Sequence, residues 1–378
     1  MGGAKPAAMP ETHGGLKPRT KFYPAVQGLR GFAALSVFCL HLYRMALHGE
    51  FTPHIPPALD AALSTLVHGV GLFFIISGFV IPASLVRHGD LRRFIADRLL
   101  RIMPLFVILH FIVFIIGPLI GYKWLRGISP LHYAELFLAN LTFTARPLGL
   151  PLAQQNSWTL SYEWGFYIMV GAAWLATERT KWVWAMAAIG VVALALCVEF
   201  PIWQFFILGM MFARYRPAVR LGRVVELILV PACLVSYYYV AEFIDPTVAL
   251  LLAAALFLAV LGPSTLTARL LGTRALQFLG KISYSFYLVH PLAVFPFQMI
   301  GLALARRGLN HGPIFVLYLA CAVPTTLVAS TLSYHFIETR LREAIARRMS
   351  FGRPAPTATR GDDPPLVTPP DTPAYVAR

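Results

Sequence analysis

The chain has 378 residues, of which 57% are hydrophobic and only 13% are charged, and its mean hydropathy is +0.65. Soluble domains carry about 25% charged residues, so this composition excludes an ordinary soluble enzyme and indicates a polytopic membrane protein. The net charge of +15 would also suit a nucleic-acid-binding protein. We expect no nucleic-acid partner, because the basic residues gather in the loops between apolar stretches, as positive-inside loops require.

Apolar stretches of the length that crosses a lipid bilayer recur along most of the chain. They predict an all-α polytopic membrane helix bundle of about ten transmembrane helices. The predicted spans are 24–46, 66–86, 102–121, 158–177, 182–199, 201–214, 224–241, 246–262, 279–302 and 313–338. A half-apolar segment between the third and fourth spans, LHYAELFLANLTF, is predicted to lie on the membrane or dip into it rather than cross it.

The chain divides into three predicted segments. Residues 1–21 form a basic, Gly/Pro-rich N-terminal tail, residues 22–349 form the membrane domain, and residues 350–378 form a Pro-rich C-terminal tail. Both tails are predicted to be disordered, because neither can bury enough apolar surface to build a core.

The placement of basic residues predicts the orientation. With an even number of spans and both termini in the cytoplasm, the cytoplasmic side carries most of the Lys and Arg residues between spans, as the positive-inside rule requires. These residues are Arg87, Arg92, Arg93, Arg98, Arg101, Arg179, Lys181, Arg214, Arg216, Arg220, Arg223, Arg269, Arg274, Lys281, Arg340, Arg342, Arg347 and Arg348. The opposite side then carries only Arg44, Lys123, Arg126, Arg146, Arg306 and Arg307.

The first span contains Arg30 and His41, eleven positions apart. At 100° per residue this is about three turns, so both side chains share one helix face and lie about 16 Å apart along the axis. Charged and titratable groups inside a span are costly and indicate a functional site. An imidazole suits proton abstraction from a hydroxyl group. The alternative is a structural histidine bonded to a carbonyl of a neighbouring helix.

The basic segment before the third span, RRFIADRLLRIMP, contains Arg98 and Arg101, which are three positions apart and share a helix face. Two such arginines can bind phosphate oxygens bidentately. The segment therefore predicts a site for a nucleotide-bearing cytosolic donor. The alternative is a positive-inside anchor without a ligand.

The fourth span begins with NSWTLSYEWGFY, residues 156–167. Its carboxylate, Glu163, lies inside an apolar and aromatic span, where it needs a partner or a function. It could orient His41 or an acceptor hydroxyl, or it could pair with Arg30. Polar and aromatic side chains at the mouth of this span are suited to a sugar. The candidates are Asn156, Ser157, Trp158 and Tyr162.

Two late segments add further candidates. In LGKISYSFYLVHP, residues 279–291, Ser and Tyr recur on one side of the span, and His290 precedes Pro291. We expect a structural kink at His290, and we keep His290 as a candidate substrate-binding residue. In YHFIETR, which closes the last span, Glu338 and Arg340 are predicted to form a structural ion pair at the cytoplasmic boundary.

These features, in this order, resemble the acyltransferase family 3 membrane proteins. Arg30 and His41 fit the R-X10-H motif of that family, and Arg98 and Arg101 fit its RxxR motif. GLFFIISGFV (71–80) resembles its glycine-aromatic second helix, SWTLSYEWGFY resembles its fourth-span segment, and ISYSFYLVHP and YHFIE resemble its late-helix signatures. The resemblance covers residues 24–340. The chain is most similar to the stand-alone type, which lacks an appended extracytoplasmic domain.

The resemblance implies a function for the whole protein. An acyl group, by default acetyl, would move from cytoplasmic acyl-CoA (acetyl-CoA) to a hydroxyl of an extracytoplasmic glycan or glycolipid, such as O-antigen or exopolysaccharide. The protein would span the bacterial cytoplasmic (inner) membrane and need no metal. A separate extracytoplasmic partner and homo-oligomerisation both stay open.

On this basis Arg98 and Arg101 would bind the phosphates of the donor, and Arg30 would stabilise its polar arm or the developing thiolate. His41, oriented by Glu163, would deprotonate the acceptor or carry the acyl group briefly, and both routes fit. Two alternatives from other classes are a transporter or flippase of an envelope lipid or sugar, and a membrane sensor without turnover. No internal repeat supports the transporter.

Overall fold

The structure is a computed structural model that describes residues 23–177, 182–215, 219–262 and 266–348. The predicted tails, residues 1–21 and 350–378, lie outside these ranges, as do the basic residues Arg179, Lys181 and Arg216. Within the described ranges every regular element is helical. The predicted all-α class is therefore confirmed.

The described residues form a succession of helices joined by short loops. In chain order these are α1 (Pro24–His48), α2 (Pro57–Thr65), α3 (Gly69–His88), α4 (Leu91–Leu119), α5 (Pro130–Leu141), α6 (Trp158–Leu175), α7 (Val183–Glu199), α8 (Trp203–Tyr215), α9 (Arg223–Phe243), α10 (Pro246–Leu261), α11 (Leu266–Leu271), α12 (Arg274–Arg306), α13 (His311–Ser333) and α14 (Arg342–Arg348). Short 3₁₀ turns at Leu66–His68 and Gln155–Ser157 precede α3 and α6, and a π-helical segment, Tyr334–Leu341, joins α13 to α14.

Several of these helices begin at a residue whose side chain caps the helix N-terminus. The carboxylate of Asp90 accepts a hydrogen bond from the backbone N–H of Arg93 at 3.0 Å and so caps α4. This hydrogen bond lowers the pKa of the Asp90 carboxyl group. Asp245 caps α10 in the same way, through the N–H groups of Thr247 and Val248. Such caps satisfy N–H groups that have no partner within the helix.

Each of the ten predicted apolar stretches coincides with a helix, although not every helix is long enough to cross a bilayer on its own. Among the residues that the structure describes, six helical stretches have the length and the apolar composition of a membrane span. They are Pro24–His48, Pro57–His88, Leu91–Leu119, Arg223–Phe243, Arg274–Arg306 and His311–Arg348. Two shorter helices, α7 and α10, are also apolar.

Large apolar side chains cover much of the outer surface of the bundle. Helix α7 has no buried residue, Trp184 is 86% exposed, and Leu119 at the end of α4 is 82% exposed. A contiguous apolar exterior of this kind marks a surface that faces a membrane or a partner. Together with the six long apolar helices, it identifies a multi-pass membrane protein.

The helices around the centre of the bundle approach at backbone distance. Helix α1 packs most extensively against α12, and α3 packs against α8. A Cβ atom added to Gly31 would lie 2.2 Å from the carbonyl oxygen of Leu276, and one added to Gly78 would lie 2.1 Å from that of Phe206. Small residues permit this closeness, as is usual where helices pack within a membrane.

Contacts between helix ends define one end of the bundle. The side chain of Gln277 donates to the carbonyl of Pro24 at 2.8 Å, and Arg342 forms an ion pair with Asp97 at 2.6 Å. The starts of α1, α4 and α12 therefore lie together with α14, at what we call the basic end. At the opposite end, which we call the far end, the hydroxyl of Tyr318 donates to the carbonyl of Leu42 at 3.0 Å.

The half-apolar segment before the fourth span forms α5, which packs against the second half of α4. The hydroxyl of Tyr133 donates to the carbonyl of Phe114 at 2.6 Å. Leu136 and Ala139 are buried in a small cluster with Val113 and Phe114. This contact attaches α5 to α4 near the far end; its placement relative to the membrane stays a prediction.

Candidate active site

A cavity of about 100 Å³ lies between α1, α3, α4, α6 and α12. Its wall is apolar on the side of α3, where Phe73, Phe74 and Ile76 line it. The other helices contribute polar groups, which are Arg30, Arg98, Arg101, Thr159, Glu163, Ser283, Tyr284 and Tyr287. So many polar and ionisable groups around a cavity inside a membrane protein indicate a functional site.

The two arginines of the RxxR segment both line this cavity, as their spacing predicts, but they differ in their partners. Arg98 is 7% exposed, forms an ion pair with Asp97 at 2.5 Å and donates to the hydroxyl of Ser84 at 3.2 Å. Arg101 has no hydrogen bond or ion pair with any side chain in the described part of the protein, and the same is true of Arg30. Two guanidinium groups are therefore available to an anionic ligand.

Two carboxylates balance part of this positive charge. The hydroxyl of Tyr167 donates to Glu163, which lines the cavity. Glu338 accepts from the hydroxyl of Ser285 at 2.9 Å. The charges of both carboxylates act on Arg30 and on Arg101. The cavity wall itself carries three arginines and one glutamate, so its formal charge is positive.

The predicted ion pair between Glu338 and Arg340 is wrong. Both residues belong to the π-helical segment, and the guanidinium group of Arg340 lies over the ring of Phe336, 4.9 Å from its centroid. Side chains two positions apart on a helix point in different directions. Glu338 can therefore face the bundle interior, where it meets Ser285, and its partner is not Arg340.

His41 lies beside His290. Nδ1 of His41 is 2.7 Å from Nε2 of His290, and the two rings meet edge to edge and nearly coplanar, with centroids 4.9 Å apart and planes inclined by 22°. Nδ1 of His290 lies 3.0 Å from the carbonyl oxygen of Phe286. Neither histidine is thus an isolated polar group in the membrane, since each ring has a hydrogen-bond partner.

The predicted orientation of His41 by Glu163 does not match this geometry. Glu163 lies among the arginines near Arg30, whereas His41 is eleven residues further along α1, about 16 Å along the helix axis. A carboxylate near Arg30 cannot also contact His41. The side chain that holds His41 is His290, which the sequence suggested only as a kink or a substrate-binding residue.

Tyr287 connects the cavity to the histidine pair. It lines the cavity, and its ring centroid lies 6.0 Å from that of His290 and 6.0 Å from that of Phe73. The histidines therefore lie one layer of side chains beyond the cavity, towards the far end. The ring of Tyr287 thus separates the arginines of the cavity from the histidine pair.

Asn156 has a structural partner. Its side-chain N–H donates to the backbone carbonyl of Tyr287. This carbonyl would normally accept from the N–H of residue 291, but Pro291 has none. Asn156 therefore supplies the hydrogen bond that Pro291 removes, and α12 continues beyond the proline to Arg306. The helix is therefore not broken at His290, and the kink expected there stays a prediction.

The other candidate acceptor residues lie nearby, at the start of α6. The hydroxyl of Ser157 donates to the carbonyl of Gln154 at 2.7 Å. The rings of Trp158 and Tyr162 are partly buried and lie edge to face, 5.7 Å apart, and the guanidinium group of Arg146 lies 5.1 Å and 5.5 Å from their centroids. Their role in binding an acceptor stays a prediction.

Sequence reasoning underrated two groups of residues. Ser283 and Tyr287 share a helix face with His290, because the spacings of four and three are those of one face. That spacing is visible in the sequence. The bridge from Asp97 to both Arg98 and Arg342 could not be read from it, because Arg342 lies 245 positions further on.

The described residues contain no group of three or more His, Cys, Asp or Glu side chains that could hold a metal ion. The expectation that the chemistry needs no metal stays a prediction.

Comparisons with known proteins point to one family. The family model for the acyltransferase domain matches residues 23–335. The acyltransferase MdmB of Streptomyces mycarofaciens is 27% identical over 405 residues, which cover 93% of this chain and 100% of that protein. No solved structure matches the chain significantly.

Two further relatives are longer proteins. A putative peptidoglycan O-acetyltransferase of Bacillus subtilis, YrhL, is 25% identical over 85% of this chain and 55% of its own length. A putative O-acetyltransferase of Staphylococcus aureus strain COL is 24% identical over 86% of this chain and 58% of its own length. The chain thus spans little more than half the length of these two relatives.

Proposed function

The chain belongs to the acyltransferase-domain family, acyltransferase family 3, and from this premise we propose that it moves an acetyl group across the membrane. The donor in this proposal is cytoplasmic acetyl-CoA, and the acceptor is a hydroxyl group of an extracytoplasmic carbohydrate. The family makes the protein an acyltransferase and favours an enzyme over a transporter. The donor, the acceptor and the direction are what we propose in addition.

The observation that carries the proposal is the positively charged cavity. Arg30, Arg98 and Arg101 line it together, and arginine forks match phosphate oxygens. The buried hydroxyl of Ser283 and Nε of Arg98 have no hydrogen-bond partner in the described part of the chain. Buried polar groups require partners, so these groups fit a polar, anionic ligand such as the phosphate-bearing part of CoA.

The reaction then takes place at the histidine pair, beyond Tyr287. The thin pantetheine arm can extend from the arginines towards His41, a distance that no side chain spans. His41 takes the proton of the acceptor hydroxyl, the hydroxyl oxygen bonds to the acyl carbon, and the carbon–sulfur bond breaks. The sulfur leaves as thiolate and takes up the proton, giving the ester and free CoA. In the relay variant, the imidazole of His41 first bonds to the acyl carbon as the carbon–sulfur bond breaks. The acceptor oxygen then displaces the imidazole, and the proton of the hydroxyl passes to the thiolate.

The acceptor class is proposed from two sources. The names of two relatives specify O-acetyl transfer, one of them to peptidoglycan. In this chain, Trp158 and Tyr162 present aromatic faces beside Arg146, which fits a sugar ring.

We propose ten crossings of the bacterial inner membrane with both termini in the cytoplasm. This orientation places the basic end of the bundle on the cytoplasmic side, where CoA is available.

Mass spectrometry of envelope glycans from the source organism tests the proposal. The gene would be deleted, restored, and restored as His41→Ala. We expect an acetyl group to disappear on deletion, to return with the wild-type gene, and to stay absent with the variant. Identical glycan profiles in all three strains would contradict a glycan acceptor. Acetylation that returns fully with His41→Ala would remove His41 from the chemistry.

A further inference from the structure

We propose that His290 is a positioning residue that fixes the tautomer of His41, so that the proton of the acceptor is taken by Nε2 of His41. This inference rests on the proposed function, because it assigns a role within the acyl transfer. It replaces Glu163 with His290 as the group that holds the catalytic imidazole.

The argument begins at the carbonyl oxygen of Phe286. This oxygen can only accept a hydrogen bond, and Nδ1 of His290 lies 3.0 Å from it. Nδ1 of His290 therefore carries a hydrogen and donates it. A neutral imidazole has one N–H and one bare nitrogen, so Nε2 of the neutral His290 is an acceptor.

The second step concerns the contact between the two rings. Nδ1 of His41 lies 2.7 Å from Nε2 of His290. Two bare nitrogens cannot form a hydrogen bond, so Nδ1 of His41 must carry the hydrogen. Nε2 of His41 then keeps its lone pair. Among the two nitrogens of His41, it is the one that can take a proton or attack an acyl carbon.

The alternative protonation of the pair would require a charged His290. This side chain is only 1% exposed and is enclosed by the rings of Phe38, Phe286 and Tyr287. No described carboxylate lies within ion-pair distance of it. A buried, unpaired imidazolium is costly, so the neutral form of His290 is favoured and the direction of the hydrogen bonds follows.

The arrangement also assists the transfer. When Nε2 of His41 takes the proton of the acceptor, the imidazolium that forms still donates through Nδ1 to His290. The positive charge is thereby stabilised by a hydrogen bond that already exists in the resting enzyme, and no side chain has to move. The proton then passes from Nε2 to the leaving sulfur, which restores the starting tautomer.

The tautomer can be observed directly by nitrogen NMR of protein with ¹⁵N-labelled histidine, reconstituted in lipid. The signals of His41 are assigned by their loss in His41→Ala. We expect the hydrogen of His41 on Nδ1 in the wild type and its redistribution towards Nε2 in His290→Leu. A wild-type His41 with its hydrogen on Nε2 would overturn the proposal, whatever the activity of the variants.

Kinetics of acetyl transfer by the purified full-length protein provide the second test. His290→Leu removes the acceptor nitrogen and should lower kcat by at least about tenfold while the KM for acetyl-CoA stays unchanged. His290→Gln places an amide oxygen near the former Nε2 and should recover most of the loss. An unchanged kcat in His290→Leu would overturn the proposal, and so would an equal loss in both variants with the fold intact.

A matched control comes from His110 on α4, which is equally buried but packs against Phe106, Phe114 and Phe137. His110→Leu should keep kcat and leave the tautomer of His41 unaltered. The NMR experiment needs no turnover. If the wild type transfers no acetyl group, the proposed function fails, while the tautomer of His41 still decides the hydrogen-bond assignment on which this inference stands.

Discussion

The arginines at the cavity differ in the side chains that they bind within the protein. Arg98 is held by Asp97 and Ser84, whereas Arg101, one helical turn away, has no direct partner among the described side chains. Asp97 also binds Arg342, so it connects the cavity wall to α14. The same motif therefore contains one arginine that binds two neighbouring side chains and one whose guanidinium group binds none among the described residues.

We expect Arg101→Gln to weaken CoA binding by at least about tenfold with little change in thermal stability. Arg98→Gln should lower the melting temperature as well, because Asp97 loses one of its two arginine partners. Calorimetric titration with CoA and thermal unfolding in detergent measure the two effects. Arg92→Gln, at an exposed position on the same helix, is the control. Unchanged CoA affinity in Arg101→Gln would show that Arg101 does not bind CoA and would favour the alternative of a positive-inside anchor without a ligand.

The contact between Asn156 and the carbonyl of Tyr287 predicts a coupling with Pro291. Asn156→Ala should destabilise the protein by about 1–3 kcal/mol, because it leaves a buried carbonyl without a partner. In the Pro291→Ala background the cost should be smaller, since the backbone N–H restored at position 291 can bond to that carbonyl. A double-mutant cycle on unfolding free energies measures this coupling. Equal costs in both backgrounds would disprove this coupling.

At the scale of helices, close backbone contacts decide which substitutions the bundle tolerates. Helix α3 meets α8 where Gly78 and Gly209 face each other, and a Cβ atom on Gly209 would lie 2.2 Å from the carbonyl oxygen of Ile75. Backbone atoms cannot move aside as a flexible side chain can. The two helices would have to separate to accept even one methyl group.

Gly78→Ala should therefore destabilise the protein by about 1–3 kcal/mol or more. Gly190→Ala in α7 should be neutral or stabilise it by about 0.5–1 kcal/mol, because a Cβ atom there meets nothing within 4 Å. Thermal unfolding monitored by size-exclusion chromatography compares the two. Similar melting temperatures for the two variants would show that α3 and α8 can separate at little cost.

The helices themselves were largely predictable, because apolar periodicity and capping residues such as Asp90 act within a few positions. The pairing of Arg30 with His41 on one face, and of Arg98 with Arg101 on another, follows from helical spacing alone. The partner of His41 does not, because His290 is 249 positions away and the contact depends on which helices are neighbours. The prediction that Glu163 orients His41 failed for the same reason, because it also depends on which helices are neighbours.

At the scale of the whole molecule, the orientation in the membrane is the main prediction. Arg92 and Arg307 are both exposed, and they lie at the basic end and just beyond the other end of α12. In a variant without Cys39, Cys197, Cys233 and Cys321, Arg92→Cys should react with a membrane-impermeant maleimide only from the cytoplasm. Arg307→Cys should react only from outside. Labelling of both from one side would contradict the proposed topology.

The packing of α1 against α12 has a consequence for biosynthesis. Helix α1 is synthesised long before the helix that it packs against most: Gln277 of α12 donates to the carbonyl of Pro24 across 253 positions, and Tyr318 of α13 donates to that of Leu42 across 276. Until α12 has been synthesised, His41 therefore lies in the bilayer or in the insertion machinery without its hydrogen-bond partner, His290. A truncated chain that ends before α12 inserts several helices yet contains no histidine pair. The histidine pair can form only after α12 has been synthesised, so we expect chains released before that point to be inactive in the proposed acyl transfer.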